Sequence, residues 1–406
     1  MAGGEHRAEA DAGTRDGRMA TGVDRPSPDE LYRRARALIP ALTERAERCE
    51  AQRHCPSETI ADLSGAGLLQ ICRPARYGGY EYGWDVLSEV NRILARGCGS
   101  QAWVANVLND HTQLVGAFAL EAQEEVWGSD PDTRTAASVA PSGKAKLVGN
   151  DARLSGRFGF ASGIDYAQWL LCGGFLEEEG KPPRYFDFLV PRQDATIIDD
   201  WHVAGLAGTG SKSFELRDVL VPAHRFQDHI HSDDGTGPGT AINRASVFRT
   251  PRASVAALGF AALAVGIGEA FLETYLRHTA QRAGRGIPIA EFGSTQLGLA
   301  KASAQIEAAA AYLNDALRHW VQRLDSGGAL TLHEKLKARF QAAFIGRSVL
   351  EAVQALFAAA GGHAIFNVNP LQRQLRDLIA VATHRGLYLD ESAPAYGKSA
   401  LSLGQL

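Results

Sequence analysis

The spacing of apolar residues changes twice along the chain. Up to about residue 130, apolar side chains recur at helical intervals, which predicts an N-terminal group of amphipathic helices. The first is expected to begin at residues 27–30 (SPDE), where a capping serine is followed by proline and, three residues after the cap, by glutamate. Pro40 is expected to kink or shorten this helix. Further helices are predicted at 57–66, 84–96, 100–109 and 120–127.

The helical pattern stops after Pro131. Short runs rich in aromatic and β-branched residues, such as RYFDFLVP and KSFELRDVLVP, are separated by Gly, Asp and Pro at roughly ten-residue intervals. This pattern predicts a central antiparallel β-domain.

The chain becomes rich in Ala and Leu from about Pro251 onward, with long helical periods that predict a four-helix bundle. Helices, strands and helices in succession exclude an alternating βαβ plan, and no G-x-G-x-x-G motif follows a strand. The predicted class is therefore α+β and mostly α. Its predicted regions are a disordered tail (1–24), an N-terminal helical domain (25–130), the β-domain (131–240) and a C-terminal helix-bundle domain (241–406).

Charge, apolar runs and cysteine spacing exclude several classes of binding partner. The 406 residues include 42 basic and 46 acidic side chains, so the net charge of −4 gives no positive field that favours nucleic acid. No apolar run reaches the roughly 18 to 20 residues of a membrane-spanning helix, and the N-terminus lacks the apolar stretch of a secretion signal. The five cysteines form no C-x-x-C pair, which argues against a disulfide framework and a structural zinc. These features predict a cytoplasmic protein without a membrane partner.

Histidine and aspartate are concentrated in the segment 221–239 (VPAHRFQDHIHSDDGTGPG). Its nitrogen and oxygen atoms suit a transition metal. Its glycines and prolines indicate an exposed connector without the rigid hydrogen-bonded support of a metal site. We therefore predict no metal centre there.

Small residues crowd the segment 201–212 (WHVAGLAGTGSK), directly before a predicted strand. Its backbone N–H groups and hydroxyls can hold a flat polar heterocycle or a phosphate. The same glycines are equally suited to a tight β-turn. The segment alone does not distinguish the two.

The order of helices, β-domain and bundle, with GLAGTGS at 205–211, resembles the acyl-CoA dehydrogenase fold of flavoproteins. The run R-x-x-x-G-x-P-I-x-x-F-x-x-x-Q at 282–296 resembles the flavin-phosphate segment of that superfamily, and residues 361–377 resemble its closing signature. The resemblance covers nearly everything after residue 25. It implies flavin contacts from Ser138, Thr209, Gly210, Ser211, Arg282 and Gln296.

Two positions depart from the dehydrogenases. Arg285 stands where they generally carry an aromatic residue that meets an adenine, which puts full-length FAD in doubt. Arg385 stands eight residues after Asp377, where many carry the glutamate that removes the α-proton, and a cation cannot act as that base. Its neighbour His384 lies where the group D flavin-dependent monooxygenases of the same fold use a histidine. These are reduced-flavin hydroxylases such as the oxygenase component of 4-hydroxyphenylacetate 3-hydroxylase.

Two more segments resemble the group D monooxygenases. Residues 103–111 (WVANVLNDH) are similar to a helix whose tryptophan and histidine line the substrate pocket, and 160–163 (FASG) to a strand whose serine faces flavin N5. The resemblance implies His111 and His384 as acid–base groups that also bind substrate, with Trp103 beside them. It implies Ser162 as a catalytic contact to flavin N5. Taken singly, these side chains also suit core packing or ordinary hydrogen bonding.

The implied function is the oxygenase component of a two-component flavin monooxygenase, which hydroxylates a phenolic substrate through a C4a-hydroperoxyflavin. The implied cofactor is reduced FMN, favoured over FAD, with O2 as co-substrate and a separate NAD(P)H:flavin reductase as partner. A homotetramer is expected. The alternatives are an N- or S-oxygenase of the same family, an acyl-CoA dehydrogenase, or a binding protein that has lost catalysis. His363 either lines a neighbouring subunit's pocket or is solvated.

Overall fold

The computed structural model describes residues 25–284 and 286–403, so the predicted tail at 1–24 and the departure at Arg285 lie outside the described residues. The N-terminal region contains helices α1 (Pro28–Gln52), α2 (Ser57–Gly65), α3 (Trp84–Ala95), α4 (Gly99–Gly116) and α5 (Leu120–Trp127). Helix α4 continues well beyond the predicted end at 109. All its residues are buried, so its polar side chains interrupt the apolar pattern without marking a solvent face.

Helix α1 begins as the sequence predicts, because the Ser27 hydroxyl accepts a hydrogen bond from the Glu30 backbone N–H at 3.2 Å. The expectation that Pro40 shortens it is wrong. Pro40 lies inside the helix and is exposed, so the carbonyl that loses its partner, that of Arg36, is on a solvent-exposed turn.

The middle of the chain forms a seven-stranded sheet with the strand order β5-β6-β2-β1-β3-β4-β7. The strands are β1 (Thr135–Val148), β2 (Asp151–Phe158), β3 (Trp169–Glu177), β4 (Arg184–Pro191), β5 (Thr196–Ile198), β6 (Ser213–Val221) and β7 (Phe226–Asp228). All neighbours are antiparallel except β1 and β3. That pair is parallel because the chain leaves β2 on one side of β1 and crosses to its other side.

The C-terminal region is the predicted bundle with one additional helix. After the short helix α6 (Ile230–Asp234) come α7 (Ala257–Ala280), the two-residue strands β8 (Ala283–Gly284) and β9 (Ile287–Pro288), α8 (Gly293–Asp325), α9 (Leu332–Ala359), α10 (Pro370–Ala382) and α11 (Leu389–Leu403). Together with the N-terminal helices and the sheet, this order confirms the predicted α+β class.

Helices α7 and α9 are long and apolar enough to cross a membrane, contrary to the expectation that no such run exists. In the structure they pack against each other, and 83% of the most apolar window of α7 is buried. A helix at the centre of a bundle is apolar on all sides, which explains the high hydropathy.

One hydrophobic core joins the N-terminal helices to the bundle, and two smaller cores cover the faces of the sheet. Helix α4 contributes to the large core and to one of the sheet cores. Its side chains therefore lie where helices, sheet and bundle meet, which is the position of the site described next.

Candidate active site

Three buried hydroxyl groups form a chain of hydrogen bonds at this junction. The indole N–H of Trp103 donates to the Ser162 hydroxyl at 3.0 Å, and the Ser162 and Ser211 hydroxyl oxygens are 2.6 Å apart. The Ser211 and Thr209 hydroxyl oxygens are also 2.6 Å apart, and Thr209 donates to the Leu206 carbonyl at 2.8 Å. The Thr209 hydroxyl hydrogen is donated to that carbonyl, so Thr209 must accept from Ser211. Ser211 in turn must accept from Ser162. Ser162 is left with a lone pair that can accept another donor.

The loop that carries Thr209 and Ser211 is held against three helices. A Cβ atom at Gly205 would overlap the Arg376 carbonyl of α10, and one at Gly208 would overlap the Cys49 sulfur of α1. These two glycines are needed for close packing of the loop against α10 and α1.

The same loop is fixed at Leu206, whose backbone has φ of 54°. The carboxylate of Asp377 accepts a hydrogen bond from the Leu206 N–H at 2.7 Å, which compensates this strained conformation. Gly210, with φ of 56°, returns the chain toward Ser211 and β6.

An exposed aromatic surface borders the hydroxyl chain. Phe160 is 76% exposed and has φ of 62°, an uncommon conformation for a residue with a side chain. Its ring lies 5.6 Å from that of Trp201, edge to face. An exposed ring two residues from Ser162 provides a flat apolar contact, and the free lone pair of Ser162 provides a polar one. These are contacts that an isoalloxazine ring requires, so the residues present fit a flavin.

Ser138 lies at the same end of the sheet, near the start of β1. Its hydroxyl donates to the Gly159 carbonyl at 2.6 Å and thereby holds the end of β2. The structure therefore places Ser138 close to the FASG segment.

The Nδ1 atoms of His111 and His384 meet different kinds of backbone group, a carbonyl acceptor in one case and an N–H donor in the other. Nδ1 of His111 lies 2.8 Å from the Thr135 carbonyl oxygen, which can only accept, so Nδ1 carries the proton and Nε2 is an acceptor. Nδ1 of His384 lies 3.2 Å from the Gly386 backbone N–H, which can only donate, so the proton is on Nε2. One imidazole can accept a proton and the other can donate a hydrogen bond.

Both imidazoles are neutral around pH 7. Burial, with a further contribution from the positive charge of Arg252, lowers the pKa of His111 and that of His384 to about 4. The ring of His384 lies 5.4 Å from that of Trp103 and 4.2 Å from that of Phe260 on α7. The Trp103 and His384 rings, together with Phe260, therefore form one aromatic wall.

Arg252 and two buried oxygen atoms were not identified from the sequence. Arg252 lies 3.6 Å from the Asp110 carboxylate, which is longer than a normal hydrogen bond. Within the described residues, Oδ1 of Asp110 and the hydroxyl of Thr135 are buried without a partner. These groups adjoin His111 in sequence or in space and can meet polar atoms of a bound molecule. Arg252 carried no sequence signal, because it precedes α7 in an irregular loop.

Arg282 and Gln296 lie away from these residues. Arg282 donates to the Ala360 carbonyl at the end of α9, and Gln296 is exposed and donates to the Ala290 carbonyl at 3.0 Å. Phe260 is near the start of α7 and Arg282 follows its end, so at 1.5 Å per residue they are about 30 Å apart. One chain therefore does not bring all the predicted flavin contacts together.

His363 lies at the same end of α7 as Arg282. It lines an open groove with His278, Phe366 and Asn369, and its ring stacks with Phe366 at 5.6 Å. The side chains of the histidine-rich loop have separate partners. His224 pairs with Glu125, and His229 pairs with Asp187 and Asp233.

Known proteins share this architecture along nearly the whole chain. The acyl-CoA dehydrogenase N-terminal domain profile matches residues 29–130, and the C-terminal domain profile matches 258–388. The flavin-dependent monooxygenase, oxygenase subunit HsaA, of Rhodococcus jostii (strain RHA1) is 31% identical over 90% of this chain and 97% of its own. The chain belongs to the flavin-dependent monooxygenase family.

Two further comparisons agree. The FADH2-dependent resorcinol hydroxylase, oxygenase component, of Rhizobium sp. (strain MTP-10005) is 35% identical over 88% of this monooxygenase and 90% of its own chain. The crystal structure of 3-HSA hydroxylase from Rhodococcus sp. RHA1 matches with a TM-score of 0.88 and 29% identity, covering 93% and 98% of the two chains. The acyl-CoA dehydrogenase fold predicted from the sequence is confirmed, as is the monooxygenase branch.

Proposed function

We propose that this monooxygenase is the oxygenase component of a two-component system that hydroxylates a phenolic substrate bound near His111 and His384. The observation that carries the proposal is that the two neutral imidazoles are opposite tautomers. Nε2 of His111 is an acceptor, whereas Nε2–H of His384 is a donor, and the His384 ring lies against Trp103, which donates to the hydroxyl chain. Resorcinol, the substrate named for one relative, supports the choice of a phenolic ring.

Reduced flavin, when bound, supplies the electrons that activate O2. Ser162 is suited to hold it, because its free lone pair can accept the hydrogen bond that N5–H of a reduced flavin donates. Phe160 and Trp201 offer the adjacent flat surface, and Thr209 and Ser211 fix the orientation of Ser162. These residues assign the flavin ring to the hydroxyl chain.

His111 is the base in this proposal. Because burial keeps the imidazole neutral, its unprotonated Nε2 is free to accept the hydrogen bond of a phenol hydroxyl. The charge that develops on the substrate must then favour transfer of that proton to Nε2. A phenolate is more electron-rich than a phenol and reacts more readily with electrophilic oxygen. Arg252 is a nearby cation that stabilises the negative charge created on the substrate.

His384 is the hydrogen-bond donor. Its Nε2–H is free because Gly386 occupies Nδ1, and its ring is held against Trp103 and Phe260. A donor at this wall orients an oxygen atom of the substrate or of the reacting oxygen species without giving up its proton at rest. The dehydrogenase alternative is disfavoured, because Arg385 is an exposed cation where that reaction requires a base.

The active assembly is a homotetramer in which the flavin's phosphate end is held by another copy of the chain. Arg282 is about 30 Å from Phe260 along α7, farther than an isoalloxazine ring and its ribityl phosphate can bridge within one chain. Arg282 and Gln296 of a second copy therefore provide the phosphate contact, and His363 lies beside them.

The remaining partners follow from the chemistry. Reduced flavin is delivered by a separate NAD(P)H:flavin reductase, and the protein works in the cytoplasm. The sequence favours FMN, whereas the name of the resorcinol-hydroxylating relative favours FAD. Comparing the dissociation constants of reduced FMN and reduced FAD decides between them.

The substrate proposal is tested by supplying reduced flavin from a reductase and offering matched panels of phenols, thiophenes and amino sugars. We expect catechol-type products from phenols and none from the other two classes. Oxygen transfer to sulfur or nitrogen with no phenol hydroxylated would contradict the proposal and establish the alternative within the family.

A further inference from the structure

A buried carboxylate on strand β4 connects the sheet to the short helix α6. Asp187 is 2% exposed, and each of its two oxygens has a hydrogen-bonding partner. Nδ1 of His229, the residue before α6, lies 2.8 Å from Oδ1, and the Ser232 hydroxyl within α6 donates to Oδ2 at 2.6 Å. One side chain of the sheet therefore fixes α6 at two points.

The imidazole of His229 is held at both ring nitrogens and on one face. Its Nε2 lies 3.5 Å from the Asp233 carboxylate, and its ring stacks on that of Tyr185 with 3.8 Å between the centroids. Burial opposes protonation of His229, but the hydrogen bonds to Asp187 and Asp233 raise its pKa to about 9. At neutral pH, His229 and Asp187 therefore form an ion pair.

Helix α6 in turn holds the residues that precede α7. The Ser232 carbonyl accepts a hydrogen bond from the Arg252 backbone N–H at 3.0 Å. A Cβ atom at Gly235, directly after α6, would overlap the Arg249 carbonyl oxygen, so the helix and this segment are in close contact. Ser232 therefore bonds to the sheet through its hydroxyl and to Arg252 through its carbonyl.

The side chain of Arg252 lies beside a proposed catalytic group. Its guanidinium is 3.6 Å from the carboxylate of Asp110, the residue before His111. In the proposed function this cation stabilises the negative charge on the substrate. Because the attraction between two charges weakens with distance, the position of Arg252 matters for the reaction.

We propose that Asp187 is a positioning residue, which holds Arg252 at the substrate site through His229 and Ser232. Three hydrogen bonds make this connection, two from α6 and His229 to the carboxylate and one from the Arg252 N–H to α6. The catalytic consequence rests on the proposed function, whereas the connection itself does not.

Two substitutions at Asp187 test whether these hydrogen bonds matter. Asp187→Ala removes both acceptor oxygens, whereas Asp187→Asn keeps an oxygen for His229 and an NH2 group that can donate to the Ser232 hydroxyl. A small displacement of a positioned group lowers the rate strongly, so kcat/KM for a phenol should fall about 10- to 100-fold in Asp187→Ala and about threefold or less in Asp187→Asn. Asp194→Ala, at an exposed residue after β4, is the control and should leave kcat/KM unchanged.

Two further measurements distinguish positioning of Arg252 from a general loss of structure. The Kd of reduced flavin is expected to be unchanged in Asp187→Ala, because the connection does not reach the hydroxyl chain. The double variant Asp187→Ala, Arg252→Met should lose no more kcat/KM than Arg252→Met alone, since both changes remove the same interaction. Losses that simply add, or a weakened flavin affinity, would overturn the proposal.

Limited trypsin digestion tests the connection without any activity measurement. Loss of the buried hydrogen bonds makes local opening more frequent, so cleavage after Arg244 and Arg249, relative to cleavage after Arg318 on α8, should be about tenfold faster in Asp187→Ala. Asp187→Asn should be cleaved at the wild-type rate. An unchanged rate in Asp187→Ala would overturn the proposal.

The outcome is decided even where one part fails. If Asp187→Ala does not fold, Ser232→Ala, which removes one of the two hydrogen bonds to Asp187 and keeps the carbonyl that Arg252 uses, takes its place in each test. If the proposed function is wrong, the wild type hydroxylates no phenol. The digestion then still shows whether Asp187 holds the segment that carries Arg252.

Discussion

The two ends of helix α7 lie beside different predicted cofactor contacts, and their surroundings differ in kind. Near its start, the half-buried Phe260 packs against Trp103 and the neutral His384, and Trp103 donates to the chain of buried hydroxyls. Past its other end, Arg282 lies beside an open groove lined by His278 and His363. The first end is built to control protons, and the second provides a positive charge near the surface. This difference is the basis of the proposal that different chains recognise the ring and the phosphate of one flavin.

The largest expected effect is on kcat/KM, and it comes from replacing His111 at the buried end of the site. His111→Gln keeps a polar side chain but removes the base, so kcat/KM for a phenol is expected to fall by about 10² to 10⁴. The Kd of reduced flavin is expected to stay within about twofold, because His111 does not hold the flavin. Steady-state assays and flavin titration check both values.

A matched control is His231→Gln, at a half-buried histidine of the short helix α6 whose Nδ1 contacts the Thr236 hydroxyl. It is expected to leave kcat/KM unchanged. A His111→Gln enzyme as active as the wild type would remove His111 from the proposed mechanism.

The second prediction concerns the hydroxyl chain. Ser162→Ala removes the acceptor for flavin N5–H, and the loss of one hydrogen bond in a buried site costs about 1 to 3 kcal/mol. The absorbance transient that follows mixing with O2 should therefore decay about 10- to 100-fold faster in a stopped-flow experiment. Ser402→Ala, on exposed helix α11, serves as the control. An unchanged lifetime in Ser162→Ala would place N5 elsewhere.

The third prediction concerns the cationic end. Arg282→Met is expected to raise the Kd of reduced flavin about tenfold, since a hydrogen bond to a charged group is worth about 1.5 to 3 kcal/mol. The lifetime of the absorbance transient in the flavin-saturated enzyme should not change. Arg318→Met, an exposed arginine on α8, is the control. A shortened lifetime with normal affinity would contradict the division between the two ends.

Co-expression of two variants tests whether the two ends of α7 that form one site belong to different chains. If each site combines His111 of one chain with Arg282 of another, co-expressed His111→Gln and Arg282→Met chains regain some sites with both native residues. Hydroxylation at low flavin concentration should then exceed the sum of the separate variants. Strictly additive activity would show that each chain builds its site alone.

The smallest expected effect is the pH dependence of folding. The pKa of His111 and that of His384 are lowered from 6.5 to about 4 in the folded protein, so these groups take up protons mainly on unfolding. Their contribution to stability is complete above about pH 6.5 and is lost as the pH falls toward 4. Urea unfolding at pH 7 and pH 5 should show a smaller difference in His111→Gln than in the wild type. An equal difference in both would show that His111 is not buried in the neutral form.

Much of the fold was predictable because each region repeats one local pattern. The capping sequence at 27–30 set the start of α1, and the change of period marked the sheet and the bundle. The extent of α4 was not predictable, because a helix buried on every side shows no polar face. The prediction that Pro40 shortens α1 failed because Pro40 lies on an exposed turn. The carbonyl that loses its helical partner there can bond to water.

The site was predictable in identity but not in arrangement. The motifs named Trp103, Ser162 and His384, which the structure brings together. The distance between Arg282 and the Trp103–Ser162 cluster depends on the length of α7. The tautomer of each imidazole depends on a backbone group, the Thr135 carbonyl for His111 and the Gly386 N–H for His384. Those partners are distant in sequence or lie on the backbone, so no motif records them.

The most direct test of the central claim is a single turnover with isotopically labelled oxygen. The protein loaded with reduced flavin is mixed with ¹⁸O2 and a phenol, while absorbance is followed and the product is analysed by mass spectrometry. The proposed function predicts a long-lived absorbance transient and a hydroxylated phenol that carries one ¹⁸O atom. Immediate reoxidation of the flavin, with peroxide as the sole oxygen product and no label in the phenol, would contradict it.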